Sequence, residues 1–274
     1  MARAPLTPGL GPVLEFDAVG VRMPRQVRRR GGGRRQRLRR IAGETRRDEV
    51  WRLRGATFSV AEGESVAIVG GKGSGRETLL RLAAGTLIPD EGAVRRRVAV
   101  VPMIDVARAL QRGFTIRQNI YFVGGLLGMT PDEAGDRVAG IAAFSGLEGS
   151  LDKYLGTAIP MVRQKLAWSI SMATEARAYA VEQVLVVGER DFRQQCWTRV
   201  DQMRKDGVTF LLASDSPRQF RRFCDRAIVL EAGALVAQGT VPEAIALFRE
   251  SRRRGQDTPP EEPETSTEES GGPL

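Results

Sequence analysis

Apolar positions along the chain form short runs whose spacing switches between two residues and three to four. VLEFDAVGVRM (13–23) alternates as a half-buried strand does. RLRGATFSVAEGESVAIVG (52–70) predicts two more strands around a turn at AEGE, the second running straight into a glycine loop. ETLLRLAAG has helical spacing with Gly85 as its stop. VRRRVAVVP (94–102) predicts a strand, and from about 117 to 176 the pattern turns helical. There Thr130 precedes Pro131 and two acids, a helix start. AYAVEQVLVVG (178–188) and VTFLLAS (208–214) are apolar segments, each followed by a helix-like stretch. RAIVLEAGALVAQGT (226–240) predicts a hairpin turning near Ala232-Gly233. Strands alternating with helices after an antiparallel opening predict an α/β P-loop domain. The expected organisation is a flexible start (1–12), one domain (13–250) and an acidic disordered tail (251–274). Within the domain, an arginine-rich insert (24–47) and a helical subdomain (about 114–166) are expected.

Composition narrows the chemistry. The chain has 274 residues, no histidine and two cysteines, Cys196 and Cys224. Histidine-based triads and histidine-ligated metals are therefore excluded, and two thiols make neither a disulfide framework nor a zinc site. No apolar run of about 18 residues appears, and the opening lacks the form of a signal peptide, so the chain reads as cytoplasmic. The net charge of +9 is uneven: residues 21–54 hold fourteen arginines against Glu44, Asp48 and Glu49. Lysine occurs only at 72, 153, 165 and 205, so an arginine in a lysine's place can reflect composition alone.

The stretch VGGKGSGRETLL (69–80) carries the chemistry. Glycines between a strand and a helix let successive backbone N–H groups turn toward one anion, and the helix N-terminus adds its positive end. Against the phosphate-loop pattern G-x-x-G-x-G-K-[ST], the chain supplies Gly70, Gly73, Ser74 and Gly75, then Arg76, Glu77 and Thr78. Lys72 lies inside the loop, out of place for the phosphate lysine. Glu77 stands where a magnesium-ligating hydroxyl belongs, and Thr78 is about 100° further round the helix.

TLIPDEGAV (86–94), VLVVGERDFRQQC (184–196) and RFCDRAIVLEAGALVAQG (222–239) resemble the ATP-binding subunits of ABC transporters. TIRQNIYFVGGLLGM (115–129), SISMA (169–173) and the VGE..F...C pattern are similar to the capsular polysaccharide and O-antigen exporter branch in particular. Over roughly 13–249 the resemblance implies an ABC-type P-loop core, a small antiparallel β subdomain and a helical subdomain. It also implies ATP and Mg²⁺ as ligands, a membrane-spanning permease and a dimer with itself or with a competent subunit. The location implied is peripheral, on the cytoplasmic face of the bacterial inner membrane.

The same resemblance implies altered site residues. Arg76 falls at the phosphate lysine, and Glu182 at the magnesium carboxylate. Gln183 falls at the catalytic glutamate; an amide has its shape but cannot take a proton from water. Asp215 takes the place of the histidine that reaches the γ-phosphate, and Met103 that of a glutamine. LGTAIPM (155–161) lacks the Ser-Gly pair of the signature segment. Trp51 falls near an adenine-stacking aromatic, with a structural tryptophan equally consistent.

The reading that follows is a catalytically degenerate subunit acting as a structural or regulatory partner. One alternative is an active ATPase energising polysaccharide export, with Glu189 as the substitute base. Another is a basic module whose segment 25–40 binds anionic lipid. Without interleaved aromatics, that segment does not predict specific nucleic-acid recognition.

Overall fold

The computed structural model describes residues 11–24, 49–182 and 189–257. Residues 1–10, 25–48 (the arginine-rich insert after Pro24), 183–188 and the last seventeen residues lie outside it.

A three-stranded antiparallel sheet is built from β1 (Leu14–Pro24), β2 (Glu49–Val60) and β4 (Glu91–Arg96), with β1 in the middle. The six-stranded sheet comprises β3 (Ser65–Gly70), β5 (Val100–Met103), β6 (Ala178–Glu182), β7 (Thr209–Ala213), β8 (Arg226–Glu231) and β9 (Ala234–Gly239). Its order is β5-β6-β7-β3-β8-β9, parallel throughout except for the antiparallel edge strand β9. The helices are α1 (Arg76–Ala83), α2 (Ile116–Leu126), α3 (Pro131–Ser145), α4 (Pro160–Met172), α5 (Arg190–Lys205), α6 (Pro217–Phe223) and α7 (Val241–Asp257).

The central strands are apolar on both faces because both are covered. On β3, Ala67 and Val69 pack with Trp168, Phe192, Phe220 and Ile245, while Val66 and Ile68 pack with Leu79, Leu80 and the small sheet. A third cluster, with Ile120, Ile141, Leu166 and Ile170, holds α2, α3 and α4 together as a helical subdomain. Threonine capping boxes open α2 at Thr115 and α3 at Thr130, the latter as the sequence predicts, with Pro131 in the first turn.

Two expectations change. The stretch 94–102 is two strands, not one: β4 pairs with β1, and after a break at 97–99, β5 pairs with β6 in the other sheet. The continuous run of valines and arginines hides that switch: Val94 of β4 is half-buried, whereas Val100 and Val101 of β5 are buried in the other sheet. In addition, α7 continues to Asp257, so the segment 251–257 is helical where the tail was expected to begin. Its arginines follow the amphipathic run VPEAIALF without a glycine or proline to stop the helix before Gly255.

Candidate functional site

In a parallel sheet the carboxyl ends of neighbouring strands share one edge, where open α/β sheets place their ligand sites. Here β3 lies between β7 and β8, with Ile68 level with Ala213 and Ile228. The glycine loop leaving β3 therefore meets the segment leaving β7, and Glu182 at the end of β6 lies beside them.

The loop has the shape the glycines predict. Gly73 and Gly75 sit at φ +85° and +102°, in conformations that side chains resist. A Cβ on Gly75 would lie 2.5 Å from the Arg52 carbonyl. The turn of the β8–β9 hairpin, with Ala232 and Gly233 both at positive φ, braces the loop. Gly233 N–H donates to the Ser74 carbonyl at 3.1 Å, and its own carbonyl accepts from Arg54 N–H at 2.8 Å. The Ser74 hydroxyl is buried over Gly70 without a hydrogen-bond partner.

Arg76 does not point into the loop's anion cradle. Its side chain is 9% exposed and turns toward the end of β7. Nη1 donates to the Ser214 carbonyl at 3.0 Å, and Nη2 donates to Asp215 Oδ1 at 2.9 Å. Two positions singled out separately in the sequence, 139 residues apart, thus form one ion pair. Asp215 stays 70% exposed at its outer end.

Glu77, exposed on α1, pairs with Arg81 one turn on at 2.6 Å. Thr78 is buried in α1. Burial pushes the Glu182 carboxyl above the ordinary carboxylate value; the charge of Glu77 pushes it the same way, and Arg76 opposes it. Glu182 thus lies within charge range of Glu77 and of Arg76, while Arg76 engages Asp215 and Arg81 engages Glu77.

Elsewhere, Met103 is buried at the end of β5. Helix α4 opens on Ile159-Pro160-Met161; Ile159 is 56% exposed and offers no side-chain cap, and Pro160 lacks an N–H. Trp51, half-buried on β2, carries the guanidinium of Arg22 at 4.3 Å and that of Arg54 at 5.1 Å from its ring centroid. Glu189, exposed, stands at the N-cap position of α5 without a side-chain capping hydrogen bond. Gln183 and the segment 25–40 lie outside the described residues. Sequence reasoning missed the Ser214 carbonyl, Arg81 and the Gly233 brace. None belongs to a motif; strand order brings the Ser214 carbonyl and Gly233 to the loop, while Arg81 meets Glu77 one turn along α1.

The family model described as "ABC transporter" matches residues 53–185. An O-antigen export system ATP-binding protein, RfbB of Klebsiella pneumoniae, is 31% identical over 71% of this chain and 79% of its own length. The chain belongs to the ABC transporter ATP-binding family. ABC transporter protein AbcA of Aeromonas salmonicida is 33% identical over 70% of this chain, which spans 62% of that relative's length. A solved ATP-binding subunit of an ABC transporter superposes with a TM-score of 0.67 at 18% identity, over 86% of this chain and 93% of that one. The α/β fold with its small antiparallel sheet is thereby that of ABC ATP-binding domains.

An ABC ATPase domain implies nucleotide binding, usually with Mg²⁺. The residues here fit that pair unequally. The glycine cradle fits a phosphate: its backbone is pre-turned, and a buried hydroxyl within it lacks a partner. The metal arrangement does not fit, because Glu77 replaces a hydroxyl and is turned to Arg81. Among the described residues, no group of three or more Asp, Glu, Cys or His side chains could hold a metal ion.

Proposed function

We propose that this chain is an ATP-binding subunit of a polysaccharide export system whose own site does not hydrolyse ATP. It serves as a structural or regulatory partner of a membrane-spanning permease and of a second ATP-binding subunit, at the cytoplasmic face of the bacterial inner membrane. The polysaccharide assignment rests on the kinship with O-antigen export proteins. Among the described residues, no helix is long and apolar enough to cross a membrane, in keeping with a permease supplied by another chain.

The observation that carries the loss of hydrolysis is the Arg76–Asp215 pair. A phosphate-gripping cation and a γ-phosphate-sensing group must both be available to nucleotide, and here each engages the other. The start of α4 supports the same reading: Ile159, Pro160 and Met161 give a partner's phosphates neither a hydroxyl nor bare backbone. Pairing with a competent subunit would still leave each shared site with one faulty half. Gln183 adds a missing base.

The test is ADP release from Mg-ATP by the purified chain, by Glu189→Ala and by Gln183→Glu. All three are expected to stay at the background rate, the single reversion failing because several parts are missing together. Turnover by the unaltered chain that disappears in Glu189→Ala would favour an active ATPase instead.

A further inference from the structure

We propose that a cleft between α3, α4 and α5 binds a small monocarboxylate with an apolar body, its carboxylate held by Arg199. The cleft shares no residue with the phosphate cradle, and its ligand lies beyond the function proposed above.

The cleft has a volume of about 360 Å³, within the range of small-molecule sites. A glycine opens it: Gly140 places no side chain on this face of α3, and a Cβ there would meet nothing within 4 Å. The walls beside it are apolar. Ile141 and Phe144 of α3 line the cleft with Met172 at the end of α4. Phe144 stacks on the buried Trp168, with ring centroids 5.7 Å apart. Such walls take the hydrocarbon part of a ligand and leave a few polar groups to fix its orientation.

Those polar groups decide the class of ligand. Arg137 is already engaged: Nη2 donates to Glu175 Oε2 at 3.0 Å, and Nη1 donates to the Glu133 carbonyl at 3.0 Å. Glu175 reaches it from a left-handed backbone conformation, φ +51°, that is uncommon for a residue with a side chain. The Ser169 hydroxyl donates to the Lys165 carbonyl at 2.8 Å. Arg199 is different. It is half-buried in the lining, yet among the described residues it makes neither a hydrogen bond nor an ion pair. Its electrostatic neighbour Tyr179 offers no charge in return, because burial raises the phenol above its ordinary value and keeps it protonated. A guanidinium with its fork unfilled matches a carboxylate in both shape and charge. Glu175 and the exposed Asp136 belong to the same lining and disfavour a second negative charge, so the ligand is a monoanion.

The experiment titrates the full chain with octanoate, octanol and octyl phosphate by calorimetry, with tryptophan fluorescence reporting on the Phe144–Trp168 stack. Two variants follow, each checked by thermal unfolding. Arg199→Gln removes the charge from a residue that holds no protein partner. Gly140→Leu fills the cleft from a helical position where a side chain has open space and better helix propensity. Octanoate is expected to bind saturably, at least about tenfold more tightly than octanol and more tightly than octyl phosphate. Arg199→Gln should weaken octanoate at least about tenfold and leave octanol unchanged, whereas Gly140→Leu should abolish binding of both. No saturable octanoate binding to the unaltered chain, equal affinity for octanoate and octanol, or octyl phosphate binding more tightly than octanoate overturns the proposal. So does octanoate affinity that is unchanged in either variant. If one variant does not fold, the other variant and the octanol comparison decide. None of these readings involves nucleotide, so the proposed function stands or falls separately.

Discussion

If Arg76 serves the fold more than a ligand, replacing it must destabilise the ligand-free protein. Arg76→Met preserves most of the buried volume with a flexible apolar chain, so the cavity contribution is small. What is lost is the charge-assisted donor to the buried Ser214 carbonyl, worth about 1.5–3 kcal/mol. The Asp215 contact adds little: at 70% exposure it is screened like a surface pair, at about 1 kcal/mol or less. The expected cost is therefore about 2–3 kcal/mol, dominated by the carbonyl. Arg76→Lys should fall between, since an ammonium is a point donor and cannot span both acceptors. Asp215→Asn should cost under about 1 kcal/mol. Urea unfolding without nucleotide, followed by the fluorescence of buried Trp168 and the other tryptophans, measures all three. A change below about 0.5 kcal/mol for Arg76→Met, or an equal cost for Arg76→Met and Asp215→Asn, would refute the reasoning.

Three further outcomes are expected. Gly75→Ala should destabilise by several kcal/mol, since its Cβ meets the Arg52 carbonyl, whereas Gly73→Ala, with open space around it, should cost only about 1–2 kcal/mol of backbone strain; paired urea curves compare them. Glu182→Gln should stabilise the chain near pH 7.5, because burial and Glu77 disfavour the ionised carboxylate. The folded-state value is raised, so the penalty exists above it and vanishes below the unfolded value; thermal unfolding should show the variant's advantage fading as pH falls toward 4.5. Burial pushes the Cys196 and Cys224 thiols up to about 12, so both should react slowly with a thiol-specific chromophore at pH 8 and quickly in urea.

The architecture was legible wherever local pattern and global fold agree. The run SVAIVG ahead of glycines, the Thr130-Pro131 start of α3 and the hairpin at Ala232-Gly233 each carry their own local signal. The split of 94–102 was not legible, because no turn residue marks the break at 97–99 and the two strands are separated only by which sheet accepts them. At the site, the identities of Arg76, Glu77 and Asp215 could be read one at a time. That Arg76 and Asp215 satisfy each other could not: it depends on β3 and β7 being neighbours in a sheet whose order does not follow the chain. Trp51 is a similar case, since its arginine companion Arg22 is set by the β1–β2 register.

The central claim is that this ABC domain holds a phosphate cradle without hydrolysis. Steady-state phosphate release from Mg-ATP by the purified chain tests it most directly, with Arg76→Ala as the blank. The predicted result is a rate indistinguishable from the blank; magnesium-dependent turnover that Arg76→Ala abolishes would contradict it.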